Sequence, residues 1–173
     1  TGVPGVDIAG VPVVLDGQDR LEFTFTTTSE LRVIGRPEVR FIASTDTTST
    51  HWVAHLNVDG VECLNTQAIC ENAGYQDTRH RDGFDDPKDL EANVPYNLTI
   101  RMYPQYDVIP AGSTVRLVLT NNDAEVSQDN TFARSLVSVG GGKAVLRLPL
   151  HSGGIELPED SLPSVYPGYD GRE

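Results

Sequence analysis

The chain is short of several residue types, and each shortage narrows its chemistry. Among 173 residues there are one Trp, one Met and two Cys, and only 13 Lys and Arg against 25 Asp and Glu. The resulting net charge of −12 excludes a nucleic-acid binder, whose affinity comes from Lys and Arg displacing counterions from phosphates. An anionic membrane surface is excluded as a partner for the same reason. No run approaches the ~20 consecutive apolar residues that a membrane-crossing helix needs. No window keeps apolar residues at i, i+3, i+4 and i+7 for three turns, so a helical bundle is excluded as well. Two cysteines, with no second Cys pair and no His pair in register, do not complete a structural zinc set.

What remains is enough for a core. The length suits one domain, and a chain of this size buries about 70% of its unfolded surface without help from a metal. Its 38% hydrophobic content is too high for a disordered tail. Apolar residues recur with a period of two: Leu21 to Thr26, Val39 to Ser44, His51 to Val58, Leu98 to Tyr103, Val115 to Leu119, Phe132 to Val139 and Ala144 to Leu150. In the third run Trp52, Ala54, Leu56 and Val58 share one face, which places Trp52 in the core rather than on a binding platform. Turn signals separate the runs, among them Asp16-Gly17, Asp59-Gly60, Pro110-Ala111-Gly112 and Gly140-Gly141-Gly142. Eight or so strands with polar turns predict an all-β fold, an antiparallel β-sandwich of jelly-roll type over residues 20–150. Residues 1–19 read as an extended apolar arm, residues 71–93 as a charged excursion rather than a strand, and residues 151–173 as a tail rich in Pro and Gly, which ladder pairing excludes.

Cys63 and Cys70 lie in one short loop, and a disulfide there would stabilise by about 2–3 kcal/mol in the chain-entropy model. The bland alternative is two idle thiols. With the sequon Asn97-Leu98-Thr99, the disulfide reading predicts an exported protein, extracellular or on the cell surface. The chain opens at Thr1 with no initiator Met, which reads as a processed protein or a piece of a longer one.

A resemblance enters at this point. The run Tyr96-Asn97-Leu98-Thr99-Ile100-Arg101-Met102-Tyr103-Pro104, followed by Val108-Ile109-Pro110-Ala111-Gly112-Ser113-Thr114-Val115-Arg116-Leu117, resembles a segment of the C-terminal module of X-Pro dipeptidyl-peptidases and cocaine-esterase-type hydrolases. Phe23 to Thr26 with Leu31 to Pro37, then Ser44-Thr45-Asp46, then Trp52 to Gly60 are similar to its earlier elements, in family order, so the likeness spans residues 20–150. It implies a galactose-binding-like jelly roll with no catalytic residues of its own, packed on an α/β-hydrolase domain. The family's Gly-His-Arg-Leu segment reads Gly112-Ser113-Thr114-Val115-Arg116-Leu117 here and lacks the His.

The residues agree that the chain is not an enzyme. A hydrolase nucleophile needs the strained elbow Gly-x-Ser-x-Gly, and no serine has it; Ser152 in His151-Ser152-Gly153-Gly154 comes nearest. His51 and His55 share a strand face about 13 Å apart, too far to hold one metal between them. They read as solvent-facing or cross-strand hydrogen-bonding residues. Asp82, Asp85, Asp86 and Asp89, around Gly83 and Pro87, offer the oxygens that calcium prefers. Arg79, Arg81 and Lys88 lie in the same segment, so a charged loop paired with its own cations is the competing reading. Asp123, Glu125 and Asp129 are a weaker calcium candidate. For a sugar, Tyr75, Tyr103, Tyr106, Tyr166 and Tyr169 are the available platforms, and no spacing groups them.

Three functions compete. The leading expectation is a self-assembling homo-oligomer or filament subunit, whose arm lays Val11, Val13 and Leu15 into pockets on a neighbour's sheet and so grows head to tail. An arm folded back on its own domain is its counter-reading. The second is the accessory domain of a secreted serine hydrolase, and the third a carbohydrate-binding module.

Overall fold

The computed structural model describes residues 20–58, 73–121, 123, 133–138 and 144–150, with the backbone of two strands at 5–7 and 13–16. Its strands are β1 (Gly5–Asp7), β2 (Val13–Asp16), β3 (Arg20–Thr26), β4 (Leu31–Gly35), β5 (Glu38–Thr45), β6 (His51–Val58), β7 (Ala73–Asp77), β8 (Tyr96–Arg101), β9 (Gln105–Ile109), β10 (Thr114–Thr120), β11 (Arg134–Ser138) and β12 (Ala144–Arg147). All their pairings are antiparallel. One sheet is centred on β5. It has β8 on one edge and, on the other, β12 and β11 end to end. Ser138 stands opposite Ile42 and Ala144 opposite Phe41, the next residue of β5. The second sheet runs β3-β10-β6-β7.

The two sheets enclose the core because their strands alternate. Val39, Phe41 and Ala43 of β5 and Leu98 and Ile100 of β8 are buried in one cluster with Trp52, Ala54 and Leu56 of β6 and Val115, Leu117 and Leu119 of β10. Phe41 meets Trp52 edge-on, ring centroids 5.1 Å apart. Each large aliphatic or Phe side chain among them contributes about 1.5–3 kcal/mol, and the edge-to-face pair suits the ring quadrupoles. The expected antiparallel β-sandwich is the fold observed.

The arm is corrected. β2 pairs with β11 of the same chain, Val13 opposite Val137 and Leu15 opposite Ser135, and β1 pairs with β12. The arm is folded back on its own domain, its two strands at the ends of the order β1-β12-β5-β11-β2. The described residues give the filament reading no support; Val11 lies outside them, as do Cys63, Cys70 and the tail 151–173.

The excursion at 71–93 is corrected in part: Ala73–Asp77 is a strand, paired with β6. Its sequence lacks β-branched residues, and what makes it a strand is close approach. Gly74 bridges to Met102, and a Cβ there would lie 2.6 Å from Ile100 Cγ2 and 2.8 Å from the Arg101 carbonyl oxygen. Only glycine lets β7 close against the end of β8, which stitches the two sheets along this side.

β4 and β9 form a two-stranded ribbon outside both sheets. Ile34 N donates to Pro149 O at 2.8 Å and Val33 bridges to Leu150. Below, the turn after β9 is latched to the end of β3. Thr27 Oγ1 donates to Pro110 O at 2.7 Å, Ser113 N donates to Thr27 Oγ1 at 3.0 Å, and Gly112 N donates to Thr27 O at 2.8 Å. Gly112 takes φ +85°, a left-handed conformation that favours glycine.

Candidate functional site

The charged segment after β7 contains the aspartates expected to hold calcium. Asp77 ends β7 and caps the 3-10 turn Thr78–His80 by accepting from Arg79 N at 2.9 Å. Its other oxygen lies 3.7 Å from His51 Nε2, 3.7 Å from the Arg79 guanidinium and 3.9 Å from His80 Nε2. Thr78 is locked to Thr50: its hydroxyl donates to Thr50 O at 2.8 Å and accepts from Thr50 N at 2.9 Å.

From there Arg81 organises the loop. Its guanidinium donates to Thr78 O at 2.9 Å and to Lys88 O at 2.6 Å, and lies 4.8 Å over the Tyr96 ring. Leu90 is buried, and its N–H donates to Thr48 O at 2.6 Å. The Tyr96 hydroxyl accepts from Glu91 N at 3.0 Å.

Asp82, Asp85, Asp86 and Asp89 are all exposed. Asp82 lies 3.8 Å from Arg81 and Asp86 is paired with Lys88 at 2.8 Å. Among the described residues no three His, Cys, Asp or Glu side chains come together around a metal position. The four aspartates are spread along a loop that turns around Arg81. On the outer face of the second sheet His51 and His55 do share a side, and each finds a carboxylate: His51 the Asp77 group, His55 the Asp123 group at 2.5 Å. Glu125 and Asp129 lie outside the described residues.

The ribbon offers the opposite chemistry. In β9 the side chains that turn inward are Gln105, 4% exposed, Asp107 and Ile109; those that turn outward are Tyr106, 66% exposed, and Val108, 50% exposed. Across the ribbon Ile34 stands opposite Tyr106, Arg32 opposite Val108, and Val33, fully buried, opposite Asp107. Tyr103, 57% exposed, lies just before β9. Gln105 Oε1 and Asp107 Oδ2 are buried acceptors with no hydrogen-bond partner among the described residues. Burial pushes the Asp107 carboxyl up to about 6, because removing a carboxylate from water favours its neutral form.

Sequence reasoning missed this face. Tyr103 and Tyr106 stood among five scattered tyrosines, and residues 105–109 were not among the runs read as strands. The residues that could have flagged it are Val33 and Ile109, which claim the inner side and force their ribbon neighbours Tyr106 and Val108 out.

The family comparison decides what kind of domain carries these two regions. The X-Pro dipeptidyl-peptidase C-terminal non-catalytic domain matches over residues 11–136, which runs from the segment before β2 into β11. The chain belongs to this family. As a member, it is not itself catalytic. Among solved structures it is similar to a CocE/NonD family hydrolase from Staphylococcus aureus, with a TM-score of 0.69 and 15% identity, covering 84% of this chain and 34% of that one. An α-amino acid ester hydrolase matches with a TM-score of 0.59 and 19% identity over 77% of this chain and 26% of its own. An aminopeptidase from a marine sediment archaeon, Thaumarchaeota archaeon, matches with 0.59 and 16% over 78% and 26%. At such identities the likeness concerns the fold, and the chain spans about a quarter to a third of the proteins it matches. No curated protein matches it.

Proposed function

We propose that this β-sandwich is the accessory domain of a serine hydrolase of the X-Pro dipeptidyl-peptidase and CocE/NonD kind, and that it works by packing on the hydrolase domain. The observation that carries the reading is the family match across residues 11–136, joined to a sequence with no nucleophile elbow of its own. A domain with no reacting group contributes to catalysis by position, holding the walls or the assembly of the part that reacts. The parent enzyme is exported, in keeping with the Cys63–Cys70 spacing and with the exposed Asn97 of the sequon.

The test is the intact mass of the protein from its native source after boiling and reduction. A polypeptide well above 18.8 kDa, with a Gly-x-Ser-x-Gly peptide in its digest, is the expected result. A species of 18.8 kDa alone would remove the hydrolase and with it this reading.

A further inference from the structure

The ribbon's outer face has an architecture that its own fold does not use. Two-stranded ribbons are marginal in water unless a face is covered, and this one covers its inner face with Val33 and Ile109 while presenting Tyr106, Val108 and the half-buried Ile34 outward. Of the seven large hydrophobic residues exposed among the described residues, Tyr103, Tyr106 and Val108 fall within six positions. The other exposed rings are already engaged: Tyr75 lies 5.2 Å from the His51 ring and Phe84 5.3 Å from the His80 ring. Tyr103 and Tyr106 have no such ring partner among the described residues. Tyr is enriched and Lys depleted at the centres of protein interfaces, and the ribbon contains no Lys.

We propose that the outer face of the β4–β9 ribbon, centred on Tyr106, Val108 and Ile34 with Tyr103 at its margin, is the surface on which the hydrolase part of the same polypeptide docks. The inference rests on the proposed function above. The occupant follows from the comparisons: this fold recurs as a quarter to a third of longer hydrolase chains, so the mass needed to cover the face belongs to such a chain. The partner surface has an apolar centre to match Tyr106 and Val108.

Hydroxyl-radical footprinting tests it, applied to the 173-residue chain and to the protein from its native source. The expected result is that Tyr106 and Tyr103 are oxidised about fivefold more slowly in the native-source protein, where an interface excludes water. Tyr75 and Phe84 should react equally in both. A larger native polypeptide with Tyr106 equally reactive overturns the docking face and leaves the accessory-domain reading standing. Protection at Tyr75 and Phe84 instead has the same meaning. A native species of 18.8 kDa overturns both. Protection of Tyr106 in the 173-residue chain that grows with concentration assigns the face to a second copy, and protection by added galactan assigns it to a sugar; either overturns the proposal.

Discussion

In the segment 78–95 charge is abundant and its cations Arg81 and Lys88 are used within the loop; in the β4–β9 ribbon large apolar side chains are turned outward. Arg81 uses its donors on two loop carbonyls and its face on Tyr96, and Lys88 neutralises Asp86. Such a loop offers little to a ligand, since a newcomer must displace contacts already made. The ribbon leaves two large side chains, Tyr106 and Val108, in water. The density of chemistry-bearing residues therefore misleads: a site shows in what is left unsatisfied.

Four experiments strain this contrast, from the largest effect to the smallest. Arg81→Ala removes two charge-assisted hydrogen bonds and the contact with Tyr96, and should cost about 2 kcal/mol in urea unfolding. Amide exchange should rise across 78–96 at the same time. A neutral result would mean that the loop is held by something other than Arg81.

Asp107→Asn should stabilise the chain by about 1 kcal/mol above pH 6, a two-unit shift discounted because the residue is partly exposed. The sign follows from linkage. With a folded value of about 6 against an unfolded value near 3.9, the native state binds the extra proton between them. Stability therefore falls as pH rises through that window and is level above it. The advantage of Asn should shrink below pH 6 and vanish below about pH 4; a constant advantage would point to packing rather than ionisation.

Tyr106→Lys with Val108→Lys should change the melting of the isolated chain little, within about 0.5 kcal/mol, as for exposed positions in general. A loss of several times that would show that the face serves the domain's own fold. Last, calcium at millimolar concentration should shift the melting temperature equally in the parent and in the variant with Asp82, Asp85, Asp86 and Asp89 all replaced by Asn. A shift present only in the parent would restore the calcium site.

The sandwich was legible wherever alternation coincided with burial. His51 to Val58 and Val115 to Leu119 read as strands because Trp52, Ala54, Leu56, Val115, Leu117 and Leu119 all face one core. β7 was not legible, since its reason is a backbone contact between Gly74 and the Ile100–Met102 segment that no local pattern encodes. β9 was not among the runs read as strands, and its residues alone do not say which face is inward. That depends on Val33 and on the ribbon register, both set by residues some 70 positions away in sequence. The aspartates were visible as composition, whereas their dispersal around Arg81 is a property of the folded loop alone.

The Phe41–Trp52 contact has a practical side. With a single tryptophan, 1% exposed and edge-on to a ring of the opposite sheet, the chain carries its one indole fluorophore at the plane where its two layers meet. Its emission colour is set by whether water reaches that plane. A red shift is therefore an optical signature of the layers parting, readable at one wavelength in the intact polypeptide without any label.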